Sequence, residues 1–535
     1  MSLGPGVAGN ARTIALITAA ARVAGFARTI VFAATVGATT VGSIYQSTNT
    51  VPNVIFEVAA GGVLAAATVP LLAARVAAAD RSGVDAITCA LLGWVLVLLV
   101  PVAAVVLVAA RPIAAALLDD PTLGADAVSR GAFLLAIFAP QIVLYGVGIV
   151  LTGVLQAYQR FAAAAAAPLV SSGVVIATYV LYGLLTPDPS RPSRAALLVL
   201  AVGTTLGVLA LVATLLPSLR ATGVSLHPRL RFPDGVARRA LDLAGAGLIA
   251  LLAQQLAVLS VIWLSNHRGG AGVLIAYQYA QAVYLLPYAV LAVPLATAAF
   301  PVLAAGVADS DREPATAVLA RTLRSVGVVS VAGAAALIAA APDVGGFFAA
   351  LDRTRGTARG GALAAVPAAL SAMAPALVGF ALLALLTRAL YARGPARLAA
   401  GVAAGGWLIA AGLPVVLTAG RSEVRGTMIA LGLAMSVGMT GAAAALAALV
   451  RAAWGPSALA GVPRTLGAAL AGGAAGVALL RWGLPQLWAV PDDALLPNLL
   501  HGALAGLGAA VPALAAVVPA TPGVFGGAGD PRAAR

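Results

Sequence analysis

Two arginines lie six residues apart within one apolar stretch near the N-terminus, Ala21–Thr29 (ARVAGFART). Arginine presents a planar fork of donors that suits the oxygens of phosphate and pyrophosphate. Six residues correspond to about 600° of helical rotation, so the two side chains point about 120° apart and flank a cavity instead of stacking. We therefore predict that at least one of Arg22 and Arg28 binds an anion. The alternative is that one or both extend out of the apolar layer to water.

A stripe of polar side chains follows on the next apolar segment. Gln46, Asn49 and Asn53 recur at spacings of three and four residues, which puts three amides on one helical face, and Glu57 continues the stripe. In apolar surroundings these groups need a hydrogen-bonding partner or a wet cavity. We predict that the stripe lines a substrate cavity, with interhelical hydrogen bonding as the structural alternative. Glu57 either pairs with Arg22 or Arg28, which we favour, or binds a coupling proton or cation.

Three glutamines extend this pattern into the second half of the chain. Gln278 and Gln281 form a shorter amide stripe, and Gln254 lies 232 residues after Arg22. A shift of about 232 residues also aligns other parts of the two halves, as described below. We predict that Gln254, Gln278 and Gln281 face the same cavity.

The sequence offers little that could perform catalysis. The three histidines are scattered without metal-ligand spacing, the chain has one cysteine, and no phosphate-binding Walker A loop is present. Asp119 and Asp120 fall in a predicted outer loop, where a membrane glycosyltransferase would place acidic residues, but a solvated loop is the better interpretation. We predict a carrier without a cofactor, driven by an ion gradient, the membrane potential or the substrate gradient.

The composition defines the elements that must position these residues. Of 535 residues, 61% are hydrophobic and only 9% charged, and the mean hydropathy is +1.01. In soluble domains about a quarter of the residues are charged. Stretches such as Leu91–Ala110 lack charge over about twenty residues, the length that a helix needs to cross a bilayer. Because these runs lack the alternation of barrel strands, we predict an all-α polytopic membrane protein with about fourteen transmembrane helices.

The charge distribution predicts the orientation in the membrane. The formal net charge is +14, which in a membrane protein is typical of arginines on the cytoplasmic side and does not indicate nucleic acid as a partner. Alternate predicted loops place most of the excess positive charge on the side that holds both termini. We predict a multi-pass protein of the plasma membrane with both termini in the cytoplasm.

The two halves of the chain resemble each other. Leu64–Ala77 matches Leu295–Ala308 at nine of fourteen positions, and Tyr45-Gln46 falls on Tyr277-Gln278. Repeats of an even number of helices have the same orientation and are related by an axis along the membrane normal. The prediction is an N-terminal six-helix lobe at 1–222, a basic cytoplasmic linker at 223–239, a C-terminal six-helix lobe at 240–452, an added helix pair at 453–520 and a cytoplasmic tail at 521–535.

Several short motifs carry a family resemblance over essentially the whole chain. They are Arg22–Arg28 (RVAGFAR), Val51–Asn53 (VPN), Glu57–Val63 (EVAAGGV), Val69-Pro70 and Leu386–Ala392 (LTRALYA). With the duplicated lobes, these motifs resemble the MurJ/MviN family of lipid II flippases, within the multidrug/oligosaccharidyl-lipid/polysaccharide exporter superfamily.

The resemblance implies a carrier that moves lipid-linked peptidoglycan precursor across the plasma membrane by alternating access, for cell-wall synthesis. It implies that Arg22 and Arg28 hold the pyrophosphate, that the added helix pair forms a groove for the lipid tail, and that membrane lipids and cell-wall synthesis proteins are partners. The chain departs from the family at Phe56-Glu57 and at Ala282, where many members carry basic residues. Those departures leave two alternatives: an exporter of another lipid-linked polysaccharide or a cationic drug, and a transport-inactive regulatory homologue.

Overall fold

A computed structural model describes residues 5–189, 191–233, 236–292, 312–354, 361–483 and 494–520 of the chain. These residues contain helices and turns and no strand. The predicted all-α class is thereby confirmed. The repeat segment Leu295–Ala308 and the predicted tail at 521–535 lie outside the described residues.

The chain divides into two compact units, Met1–Gln255 and Leu256–Arg535. The boundary falls within one helix, α10, and the predicted division into lobes, linker and added pair stays a prediction. The helices up to this boundary are α1 (Pro5–Thr35), α2 (Thr40–Phe56), α3 (Gly62–Ala77), α4 (Arg81–Val108), α5 (Ala110–Leu118), α6 (Ala127–Phe138), α7 (Gln141–Ala157), α8 (Phe161–Leu185), α9 (Arg194–Arg220) and α10 (Val236–Leu264).

The helices of the second unit follow in chain order. They are α11 (Val273–Pro287), α12 (Arg312–Leu351), α13 (Val366–Met373), α14 (Ala376–Ala392), α15 (Ala396–Leu417), α16 (Val424–Trp454), α17 (Val462–Ala478), α18 (Leu495–Ala515) and α19 (Val517–Ala520).

Most of these helices suit a lipid environment. Within the described residues, twelve helical segments are long and apolar enough to cross a membrane, or thirteen if the bent pair α13 and α14 forms one span. The two members of that pair meet at an angle of 46° around Pro375, because proline cannot donate the helical hydrogen bond at that position. The sequence predicts a second span near residues 41–74, which coincides with the continuous helical stretch formed by α2, a π turn and α3.

A π turn follows the corresponding helix in each unit. In the first unit α2 is followed by the π turn Glu57–Gly61, and in the second unit α11 is followed by the π turn Tyr288–Ala292. Such single-turn insertions are rare and occur frequently at functional sites. Their recurrence about 232 residues apart is the structural counterpart of the sequence repeat.

Within the second unit, α12 is the helix around which the last helices pack. It contacts α17 and α18 along its length. Helices α17 and α18 also approach each other closely. A Cβ added to Gly476 on α17 would lie 3.0 Å from the backbone of Ala509 on α18. Small residues of this kind let membrane helices pack backbone to backbone.

The described part of the basic linker is held against the first unit along α4. The amide of Arg229 donates to the carbonyl oxygen of Cys89 (2.9 Å), and the indole nitrogen of Trp94 donates to the carbonyl oxygen of Leu230 (3.1 Å). Gly93 makes this approach possible, because a Cβ there would overlap the carbonyl group of Arg229. Residues 225–230 of the linker, called the strap below, are therefore packed against α4.

Gly93→Val is expected to release this strap. Cys89, the only cysteine of the chain, is 2% exposed beneath it and donates its thiol to the carbonyl oxygen of Ser225. Maleimide labelling of the folded protein should therefore be slow in the wild type and about tenfold or more faster in the variant, because overpacking at the contact costs about 1–3 kcal/mol. Gly173→Val is the matched control, since a Cβ at Gly173 meets nothing within 4 Å. Equal labelling of the two variants would contradict the strap.

Candidate substrate-binding site

Arg28 lies on α1 beside a group of tyrosines from three other helices of the first unit. Its guanidinium is within electrostatic range of the hydroxyl groups of Tyr45 on α2, Tyr145 on α7 and Tyr179 on α8. The arginine itself is exposed, whereas Tyr45 and Tyr179 are buried. Arg28 thus presents a positive charge at the accessible edge of a polar cluster.

Tyr45 is the centre of this tyrosine cluster. Its hydroxyl lies 3.0 Å from that of Tyr179 and 2.9 Å from the hydroxyl of Thr204. Thr204 donates its proton to the carbonyl oxygen of Leu200 (2.7 Å), so Tyr45 donates to Thr204 and accepts from Tyr179. The ring of Phe32 packs against both tyrosine rings, with centroids 5.8 and 5.2 Å away. The tyrosine cluster near Arg28 is therefore both hydrogen-bonded and closely packed.

Tyr45→Phe is expected to destabilise the protein by about 1–3 kcal/mol, because the buried hydroxyls of Tyr179 and Thr204 would each lose a partner. The midpoint of thermal unfolding in detergent should fall. Tyr391→Phe serves as the control, since Tyr391 is 46% exposed, and it should leave the midpoint unchanged. A Tyr45→Phe protein as stable as the wild type would show that the hydroxyl chain contributes nothing.

Arg22 is exposed on α1, about one and two-thirds turns before Arg28. Within the described residues, neither Arg22 nor Arg28 forms a hydrogen bond or an ion pair. Both guanidinium groups are therefore available to an anion from outside the chain.

The predicted amide stripe lies on the less buried face of α2. Gln46 and Asn49 are half-buried and Asn53 is exposed, whereas most residues between them are buried. The side-chain oxygen of Asn49 is inaccessible and has no hydrogen-bond partner within the described residues. A bound molecule or ordered water that donates to this oxygen would satisfy it.

The favoured pairing of Glu57 with an arginine is wrong. Glu57 is half-buried at the start of the π turn that follows α2, and within the described residues it forms no ion pair with Arg22 or Arg28. The turn breaks the regular 3.6-residue period after Phe56, so the stripe cannot be extrapolated to Glu57 from spacing alone. The assignment of Glu57 to a coupling proton or cation stays a prediction.

The glutamines of the second half repeat the burial pattern of α2. Gln278 and Gln281 are half-buried on α11, and their neighbours Tyr277, Tyr279 and Ala280 are buried. Gln254 is half-buried on α10. Their convergence with Arg22 and Arg28 on one cavity stays a prediction.

The acidic pair that suggested a glycosyltransferase has a structural explanation in the loop after α5. Asp120 accepts hydrogen bonds from the amide (2.9 Å) and the hydroxyl (2.6 Å) of Thr122. Through these bonds Asp120 caps the N-terminus of the short helical turn Pro121–Leu123. Its neighbour Asp119 is exposed at the end of α5. One member of the pair thus has a role in forming the turn.

The tyrosines are the part of the site that sequence reasoning missed. The sequence singles out Tyr45 only as part of the repeat, and it gives no indication of Tyr145 or Tyr179. Tyrosine in an apolar span is a plausible signal, because its hydroxyl needs a polar partner when buried. Which tyrosines approach Arg28 depends on how α2, α7 and α8 pack.

The chain is similar to proteins of one known family. A family model described as "Lipid II flippase MurJ" matches residues 32–490. A probable lipid II flippase MurJ of Rhizobium tropici is 26% identical over 337 residues, which cover 62% of this chain and 61% of that protein. The chain therefore matches about three fifths of the length of this curated relative.

Two solved structures share the fold. A lipid II flippase MurJ in an inward closed conformation aligns with a TM-score of 0.69 at 15% identity, over 92% of this chain and 97% of that one. An inward-facing multidrug resistance MATE family transporter of the MOP superfamily aligns with a TM-score of 0.64 at 16% identity, over 81% and 95%. The fold thus defines a polytopic membrane protein with the architecture of these transporters. The family match spans most of the sequence, and the chain belongs to the lipid II flippase MurJ family.

Proposed function

We propose that this protein is a flippase that moves lipid II, the lipid-linked peptidoglycan precursor, across the plasma membrane by alternating access for cell-wall synthesis. The observation that supports this cargo is the pair of accessible guanidinium groups on α1, Arg22 and Arg28, without a partner in the described chain. A diphosphate presents several oxygens with matching charge. Tyr145, the half-buried member of the tyrosine group near Arg28, offers a hydroxyl group to a sugar or a phosphate.

In this proposal the amides of Gln46, Asn49 and Asn53 on α2 and of Gln254, Gln278 and Gln281 complete a polar cavity for the sugar head group. The partners are the lipid-linked sugar pyrophosphate, the surrounding membrane lipids and cell-wall synthesis proteins, and both termini face the cytoplasm. No cofactor takes part, and the driving force comes from a gradient or from the membrane potential.

The rival function is export of a cationic compound or of another lipid-linked polysaccharide. It is favoured by Glu57, a half-buried carboxylate without an arginine partner in the described residues, and by the fold shared with a multidrug transporter. A cation would be attracted to Glu57 and repelled by Arg28, so the two cargos make opposite demands on these residues.

A rescue assay tests the proposal. Cells depleted of their own lipid II flippase would express this chain, and labelled lipid II would be measured on the outer face of the membrane. Restored labelling and growth are expected. If cells that hold the protein in their membrane show no labelling, lipid II is not its cargo. Efflux of a cationic dye by the same cells would establish export of a cationic compound instead.

A further inference from the structure

An apolar groove lies in the second unit, and none of the proposed cargo residues lines it. It has a volume of about 350 Å³ and is lined mainly by aliphatic side chains of α12, α14, α16, α17 and the turn before α17, including Leu323, Leu382, Leu459, Val462 and Leu466. Its one hydroxyl, that of Thr440, already donates to the carbonyl oxygen of Ser436. The volume is in the range of small-molecule sites, and the lining suits a hydrocarbon chain.

One end of the groove is at a membrane surface. The turn Gly455–Gly461 joins α16 to α17, two helices that cross the membrane, and Leu459 of this turn lines the groove. Trp454, at the end of α16, donates its indole N–H to the carbonyl oxygen of Ala389 (3.3 Å), and the guanidinium of Arg393 lies 5.6 Å from its ring centroid. Tryptophan with a neighbouring arginine is typical of the interfacial layer of a bilayer.

Arg324 stands at this end without a counter-ion. Its guanidinium lies against Gly461, where an added Cβ would be 3.1 Å from Nη1, and glycine there also permits the positive φ of +73°. The Nε atom is inaccessible and has no hydrogen-bond partner among the described residues. Arg321, one turn earlier on α12, is close enough to repel it. Since a partly buried, unpaired cation is costly, this position calls for an anion.

Charge and groove together identify the occupant. Arg464 lies in the first turn of α17, directly after the groove-lining Pro463, and adds a further positive charge. Basic pockets between membrane helices bind the head groups of anionic lipids. We propose that this groove holds one acyl chain of an anionic phospholipid whose phosphate is bound by Arg324. The lipid is a resident ligand of the second unit and not the cargo, so the proposal does not depend on the proposed function.

Native mass spectrometry of the full-length protein in detergent tests the site, with phosphatidylglycerol and phosphatidylcholine titrated separately. The wild type should bind phosphatidylglycerol more tightly than phosphatidylcholine. Arg324→Gln should weaken that binding about tenfold or more, because a hydrogen bond between charged groups contributes about 1.5–3 kcal/mol. Ala444→Phe, at an exposed groove position, should block the acyl chain. Arg111→Gln, an exposed arginine of α5, is the matched control and should bind like the wild type.

A second measurement distinguishes loss of binding from misfolding. Without added lipid, Arg324→Gln should unfold at the same temperature as the wild type or higher, because it removes an unpaired charge. Phosphatidylglycerol should raise the unfolding temperature of the wild type and leave that of the variant unchanged. Equal affinity for both lipids, equal stabilisation by inorganic phosphate alone, or displacement of phosphatidylglycerol by a lipid-linked pyrophosphate would each overturn the proposal.

Discussion

Reversing the charge at Arg28 is expected to abolish lipid II translocation. Arg28→Glu places a carboxylate at the accessible edge of the tyrosine cluster, where it repels a diphosphate. Arg28→Ala removes hydrogen bonds between charged groups, and a loss of about 1.5–3 kcal/mol corresponds to a tenfold to hundredfold lower rate at limiting substrate. Arg28→Lys keeps the charge but loses the planar fork, so its activity should lie between those of the wild type and Arg28→Ala.

The measurement is the appearance of labelled lipid II on the outer face of cells that depend on the variant. Arg111→Glu is the matched control: it makes the same charge reversal at an exposed arginine of α5 and should leave translocation unchanged. Full activity of Arg28→Glu in cells with normal amounts of protein would remove Arg28 from the site.

Separating α15 from α16 is expected to have the largest effect on stability. The two helices touch through backbone atoms: a Cβ at Gly438 would overlap the carbonyl oxygen of Gly406, and a Cβ at Gly406 would be 2.8 Å from the carbonyl oxygen of Gly438. A rigid backbone cannot yield as a flexible side chain can. Gly438→Val should therefore cost at least about 1–3 kcal/mol and lower the unfolding temperature by several degrees.

The control for this experiment lies on the same helix. Gly441 is exposed, and a Cβ there meets nothing within 4 Å, so Gly441→Val changes the same residue type in the same helix without a contact. Intrinsic fluorescence during heating reports the transition, since Trp407 on α15 and Trp454 on α16 lie in the two helices concerned. Equal unfolding temperatures for the two variants would show that the close approach at Gly438 is not needed.

The membrane class and the approximate spans could be predicted from the sequence because hydropathy is a local property that adds up along the chain. A helix in lipid satisfies its own backbone hydrogen bonds, so length and apolarity alone decide that a segment such as Arg81–Val108 can span the membrane. The positions of Arg22 and Arg28 within an apolar helix followed from the same information.

Other features depended on contacts between distant segments. The tyrosines near Arg28 come from three helices, and no local pattern indicates which of their faces meet α1. The strap against Cys89 arises because Gly93 leaves room for the backbone of a segment about 136 residues away in sequence. The absence of an ion pair at Glu57 among the described residues has the same origin, because no spacing in the sequence specifies which side chains of α1 come near the π turn that begins at Glu57.

The sequence by itself determined the solvent of this protein, its helical class and the few charges that lipid makes costly. The tertiary structure alone decided which of those charges have partners. Asp343 on α12 pairs with His501 on α18, 158 residues away, whereas Arg28, Glu57 and Arg324 have no ion-pair partner among the described residues. The physical reason is that the cost of burying a charge is set by its residue type, but its compensation depends on an oppositely charged group within a few ångströms, and only packing brings such groups together.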